Sequence, residues 1–161
     1  MIRIPKTKSR EVLEFATVMQ DARAMSRLLT TYVDQKGKGP NQHYAIHHSQ
    51  FSGDPYNFFV VNPVMFGEKA NDVMVVINPK ILEKDSRTRK KVREACMSFP
   101  FRHGIEVNRY DRIKVSYQVP TANGKAMIKK EEWMEGFMAQ IFQHEVQHAN
   151  GSHIYAGTNS H

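Results

Sequence analysis

Two helical stripes bracket a middle of short strand-like segments. From about residue 9 to residue 33, apolar side chains recur at Val12, Phe15, Ala16, Met19, Ala22, Met25 and Leu29, the spacing of one face of an α-helix. Ser9 is placed as its cap, with Glu11 in the first turn. Lys36-Gly37-Lys38-Gly39-Pro40 then breaks the helix and opens a loop. Residues 58–63 and 73–79 are apolar runs that each close on Asn-Pro, where the missing proline donor is expected to end pairing. Residues 105–107 and 113–119 alternate in the two-residue period of half-buried strands. Asn123-Gly124, within residues 122–125, predicts a hairpin turn. A second helix is predicted over residues 131–150, acidic in its first turn and followed by Gly151. Its stripe begins Met134, Phe137, Met138, Ile141 and continues at the same angle as Glu145 and His148. A face that turns from apolar to ionisable buries those polar groups too, so they must be paired or bound to something.

No internal repeat and no linker interrupts this pattern, so the chain reads as one α+β domain over residues 1–161, with residues 152–161 as a flexible tail. A 40% hydrophobic and 24% charged composition is that of a globular protein and excludes a disordered one. The single cysteine, Cys96, rules out an internal disulfide and points to a reducing compartment, the cytoplasm. No apolar run reaches membrane-spanning length and the start of the chain lacks a secretory signal, so no membrane association is expected. The net charge of +7 favours anionic partners, most of all at Lys84, Arg87, Arg89, Lys90, Lys91 and Arg93. No nucleic-acid module or interleaved aromatics accompany that cluster, so its plain reading is a solvated loop or strand edge, without specific DNA binding.

The polar end of the second stripe is His144-Glu145-Val146-Gln147-His148. Two histidines four apart lie one helical turn above each other and can reach one metal ion, with the intervening glutamate directed at its open position. Such an ion acidifies a water molecule, and Glu145 is placed to take and relay the proton. A catalytic site of this type needs a third protein ligand. Six residues beyond His148 stands Ile154 rather than a third histidine, and no acidic residue follows Glu145, so the third ligand is sought upstream. Cys96, in Glu94-Ala95-Cys96-Met97-Ser98, is the natural candidate, with an inert core thiol as the alternative.

These residues resemble the peptide deformylase family. The segment Glu94 to Ser98 is similar to the family's E-G-C-φ-S, and Gln143 through His148 to its Q-H-E-x-x-H, with Gly151 shortly after. The likeness runs from about residue 73 to residue 151 and is weak over the first third of the chain. The family's G-φ-G-φ-A-A-x-Q is met only by His43-Tyr44-Ala45-Ile46-His47-His48-Ser49-Gln50, in which both glycines and the small pair are replaced. The resemblance implies small antiparallel or mixed sheets around a central H-E-x-x-H helix, with an N-terminal helix. It implies Cys96, His144 and His148 as ligands of one divalent ion, ferrous iron in cells with zinc, nickel or cobalt as substitutes. Glu145 becomes the general acid/base, and the Gln50 amide and Met97 N–H the donors to the developing oxyanion. The implied reaction removes the formyl group from N-formyl-methionyl nascent peptides. Tyr44, Ala45, Ile46, Ala95, Phe137 and Ile141 are carried over as the substrate groove, with ordinary core packing the alternative for Ile46, Phe137 and Ile141. The short end after Gly151, without a long C-terminal helix, resembles the forms carried by bacteriophages, and weak ribosome association through the basic surface is a further expectation.

His43, His47 and His48 are expected to shape the groove or face solvent rather than form a second metal cluster. Two other functions compete with deformylation. A small zinc endopeptidase shares H-E-x-x-H but needs the missing downstream ligand, and a deformylase-like metal-binding protein would keep the fold with a groove closed to substrate.

Overall fold

The apolar runs in the middle of the chain pair as neighbouring antiparallel strands whose two faces are both covered. The computed structural model describes residues 2–36, 44–62, 74–99 and 102–156. In chain order the elements are α1 (Met19–Lys36), β1 (Ala45–His47), β2 (Phe58–Val61), β3 (Met74–Lys84), β4 (Arg89–Glu94), β5 (Ile105–Tyr110), β6 (Arg112–Pro120), β7 (Met127–Glu135) and α2 (Gly136–Ala149). Five strands form one antiparallel sheet in the order β1-β2-β3-β6-β7, and β4 and β5 form a separate two-stranded antiparallel sheet. The architecture is α+β, as expected. No helix among the described residues is long and apolar enough to cross a membrane.

Successive strand residues point to opposite faces, and here both faces are apolar. Ile46, Phe58, Val60 and Ile77 pack on one side with Ala22, Met25 and Leu29 of α1. Phe59, Val61, Val76, Ile113 and Val115 pack on the other with Ala139, Ile141 and Phe142 of α2. The large sheet thus lies between the two helices, and α2 has its other flank free for β4–β5.

Three expected boundaries move. The first helix begins at Met19, not near residue 9; a 3-10 turn over Phe15–Thr17 precedes it, and Arg10 instead bridges to Tyr56. Val12 and Phe15 are buried as predicted, but tertiary bonds keep Val12 out of the helix: Asn78 accepts from Val12 N–H and donates to Val12 C=O, both at 2.8 Å. Ser9 caps no helix start; its N–H and hydroxyl both donate to Ala149 C=O at the end of α2.

At Asn78-Pro79 pairing does not end. β3 absorbs the proline as an irregularity between Ile77 and Lys80 and runs on to Lys84, with Asn78 in the left-handed region at φ 51°. The second helix starts at Gly136, because residues 127–135 pair along their whole length with β6. Met134 is therefore buried as a strand residue, facing the same core by another route. Beyond Lys36, the expected loop lies outside the described residues, as do His43, Pro63 and Val73.

Within the segment expected to be a tail, residues 152–156 pack on the domain. Ile154 and Tyr155 are buried against Cys96, and Tyr155 Oη donates to His103 C=O at 2.6 Å. Gly151 makes this possible: at φ 79° it closes α2, and a Cβ there would stand 2.9 Å from the backbone of Thr7.

Candidate active site

Three stretches converge between the helix and the small sheet. α2 carries His144, Glu145 and His148, the loop after β4 carries Cys96, and a 3-10 turn after β1 (His48–Gln50) carries Gln50. Cys96, His144 and His148 each direct one donor atom into a group whose members all lie within 4.8 Å of one another, the only such group of three among the described residues. Cys96 Sγ is 3.4 Å from His148 Nε2, and the two imidazole rings stand 4.8 Å apart at 82°.

Each histidine is fixed through its other nitrogen. His148 Nδ1 is 2.9 Å from Ser152 C=O, which can only accept, so Nδ1 carries the proton and Nε2 presents a lone pair toward Cys96. His144 Nδ1 is 2.8 Å from the Glu94 carboxylate. Glu94 in turn accepts from Arg109 Nε at 2.9 Å and Arg109 Nη2 at 2.7 Å, a buried two-pronged pair, and Arg109 also donates to Gln147 Oε1. Burial alone would raise the Glu94 pKa; the bonds from Arg109 and His144 outweigh it and hold the carboxyl down at about 2. A charged residue pointing inward from an alternating strand, as Arg109 does from β5, was the sequence signal for this support.

The donors fit a divalent ion. One thiol and two imidazoles are a borderline-soft set that leaves a fourth, open position. Their surroundings favour positive charge: His144 is buried, which lowers its pKa, yet Cys96, Glu94 and Glu145 around it push it up to about 10. Burial and His144 push His148 the other way, keeping it neutral. Beside them, burial raises the Glu145 carboxyl to about 7, and its Oε1 has no hydrogen-bond partner among the described residues. A buried carboxyl oxygen left without a donor is costly unless something enters the site to meet it.

The opening in front of this group is a cleft lined by Tyr44, Ala45, Gln50, Ala95, Met97, Phe137, Gln140 and Ile141 together with Glu94, Cys96, His144 and Glu145. Gln50 Nε2 lies 3.7 Å from Cys96 Sγ. Tyr44 and Phe137 meet edge to face, ring centroids 5.2 Å apart, at the cleft. Of the expected groove residues only Ile46 is misplaced: it points to the α1 side and is fully buried in that core. Gln140, which the sequence reading missed, adds an amide to an otherwise apolar wall.

His47 and His48 are buried away from solvent and do not line the cleft themselves; they act on it through the turn that carries Gln50. His47 accepts from Ser49 N–H through Nδ1 and faces Asn57 Oδ1 through Nε2, and burial lowers its pKa to about 3. His48 accepts from Tyr56 N–H, meets Asp21 at 2.8 Å and stacks on Phe58. They lock the turn that carries Gln50.

The sequence model of the polypeptide deformylase family matches residues 50–160. The chain belongs to that family. The match takes in every residue of the Cys96, His144, Glu145, His148 constellation. Peptide deformylase of Thermotoga maritima is 40% identical over 99 residues, 62% of this chain and 52% of that protein, and that of Thermus thermophilus is 36% identical over 84 residues, 52% of this chain and 40% of that protein. The chain therefore spans about half the length of the curated relatives it matches. In three dimensions the likeness is wider. The crystal structure of the Thermotoga maritima deformylase covers 96% of this chain and 93% of its own at 29% identity and a TM-score of 0.72. That of the Plasmodium falciparum deformylase covers 95% and 83% at 26% identity and a TM-score of 0.74. The deformylase-family fold thus extends over the first third, where the sequence motifs fade.

Proposed function

We propose that this protein is a metal-dependent amidase that removes the formyl group from N-formyl-methionyl nascent peptides. The observation that carries the reading is the buried Glu145 carboxyl, whose Oε1 has no hydrogen-bond partner among the described residues, beside one thiol and two imidazoles at the floor of a cleft. Cys96, His144 and His148 hold one divalent ion, ferrous in the cell and replaceable by zinc, nickel or cobalt. Bound there, the ion supplies Lewis-acid polarisation of the formyl carbonyl and lowers the pKa of water.

The protein's own groups do the rest. Glu145 accepts the proton of the attacking water and delivers it to the amide nitrogen as the carbon–nitrogen bond breaks, giving formate and a free amine. The Gln50 amide and the Met97 N–H donate to the oxygen on which charge develops. Tyr44, Ala45, Ala95, Phe137, Gln140 and Ile141 receive the side chain that follows the formyl group, and the thioether of methionine suits the Tyr44–Phe137 rings.

The enzyme works in the cytoplasm, where its substrates emerge. The outer face of β4–β5, with exposed Arg89, Lys91 and Arg93, is the surface through which weak ribosome association would occur. The test is anaerobic purification with metal analysis and a formate-release assay on a formyl-Met tripeptide. One equivalent of divalent ion and formate release that a chelator abolishes are expected; stoichiometric metal without any formate would refute the activity.

A further inference from the structure

Three hydrogen bonds close a ring behind the cleft. Gln50 Nε2 donates to Ser98 Oγ at 3.0 Å, Ser98 Oγ donates to Arg3 C=O at 2.6 Å, and Arg3 N–H donates back to Gln50 C=O at 2.6 Å. The Arg3 backbone thus ties together the 3-10 turn that carries Gln50 and the loop that carries Cys96 and Ser98. Pro5 is buried beyond it, and Gly151 leaves no room for a Cβ over Thr7, so the strap is held at several points.

The ring has a direction. A carbonyl can only accept, so Arg3 takes the Ser98 hydroxyl proton and leaves the serine lone pairs facing Gln50. Gln50 must then turn its NH₂, not its oxygen, toward Ser98 and Cys96. At the other end His47 N–H donates to Gln50 Oε1 at 2.9 Å, which demands the same orientation. An amide flipped by half a turn would set oxygen against oxygen at Ser98 and N–H against N–H at His47.

From this ring we infer that Ser98 and the Arg3 backbone are positioning groups that fix the Gln50 amide with its N–H toward the reacting carbonyl. The inference rests on Gln50 being the oxyanion donor proposed above. Ser98 touches no substrate in this scheme; it acts through Gln50. The first residues of the chain thereby belong to the active-site framework.

The test has one readout that needs no catalysis and one that does. In ¹⁵N-labelled protein, the Gln50 side-chain amide signals are identified by their loss in Gln50→Glu. Ser98→Ala is expected to shift them and speed their exchange with solvent, Ser98→Thr to leave them as in the wild type, and Arg3→Pro, which removes the N–H to Gln50 C=O, to loosen them relative to an Arg3→Ala control that removes only the side chain. Unchanged signals in Ser98→Ala would overturn the ring, whether or not the protein releases formate. In the formate assay with metal-loaded enzyme, Ser98→Ala lowers kcat about tenfold, a fraction of the 10²–10³ lost with a whole oxyanion donor, while KM and bound metal hold. Ser98→Thr restores kcat, and in a Gln50→Ala background Ser98→Ala costs nothing further. A full additional loss in that background would place Ser98 outside the Gln50 path and refute the assignment. Absence of formate release by the wild type would count against the proposed function alone.

Discussion

Arg109→Met is the most informative single perturbation, because it leaves every donor to the ion in place and removes only what stands behind His144. The Glu94 carboxylate is 5% exposed and accepts three charge-assisted bonds, two from Arg109 and one from His144. The substitution deletes two of the three and the Gln147 contact, while the methionine keeps much of the buried stem. Breaking a buried pair from one side costs about 3–5 kcal/mol, since the remaining charge stays desolvated. That is a large part of the stability of a domain this size, which is about 5–15 kcal/mol. The same change frees Glu94 to rotate away from His144, and loss of such an outer partner typically weakens metal affinity about 10–100-fold. Urea unfolding of the metal-free protein measures the first number and competition against a chromophoric zinc chelator the second. Glu94→Gln/Arg109→Met, which leaves no uncompensated charge, should recover part of the stability but not the affinity, because an amide holds the imidazole less firmly than a carboxylate. Stability within about 0.5 kcal/mol of wild type and unchanged zinc affinity in Arg109→Met would refute the idea that this pair supports the site; that margin is the ordinary scatter of surface substitutions.

Glu145→Gln should keep stoichiometric metal and lose formate release by about a thousandfold or more, the weight of a general acid/base together with its charge; turnover within tenfold of wild type would remove Glu145 from the mechanism. Cys96→Ala should weaken zinc binding in the same competition assay while leaving the metal-free fold within about 1 kcal/mol, and unchanged metal content would require another third ligand. Asn78→Ala should destabilise by about 3 kcal/mol in urea melts, since it strips partners from Val12 N–H, Val12 C=O and Gln118 at once. His47 is held neutral, with its pKa lowered from 6.5 to about 3. The folded state therefore binds fewer protons than the unfolded state below pH 6.5, and its contribution, whole above that pH, shrinks as pH falls toward 3. At pH 5 the loss is about 2 kcal/mol, and His47→Gln should flatten that part of the pH–stability curve.

The parts of the fold that could be read from the chain are those where neighbours in sequence are neighbours in space. His144, Glu145 and His148 share a helix face by spacing alone, and the mixed stripe above them announced a buried polar site. Within the large sheet, β2, β3 and β6 were legible as apolar runs and alternation, while β1 and β7 were not. What failed did so where a distant partner decides. Glu131, Glu132 and Met134 suit a helix as well as a strand, and only the presence of β6 along residues 127–135 settles which. Val12 carries helical spacing yet lies outside any helix, because an Asn78 side chain 66 residues away supplies the bonds a helix would have made, and Phe15 only opens a short 3-10 turn. Ile46 was read into the groove beside Ala45, although adjacent residues of one strand cannot face the same side; without β1 in view the parity was invisible.

The candidate site divides along the same line. Its donors come from motifs, and its supports come from stretches that carry none. Ser152 holds His148 from a segment expected to be loose, Ser9 closes the last turn of α2 from a segment expected to begin a helix, and Arg3 reaches Gln50 and Ser98 from the third of the chain where resemblance is weakest. A motif persists because a few side chains must meet at one point with one geometry. The backbone groups that brace them impose almost no demand on residue type, since any residue but proline offers the same N–H and any residue the same C=O. Half of the active-site framework therefore leaves no imprint on composition or periodicity. The same reasoning explains how the first motif can lose its small pair while the turn that ends in Gln50 stays braced: here His47 and His48, buried and bonded to Asn57, Asp21 and Tyr56, do by side-chain hydrogen bonds what small residues do by close packing.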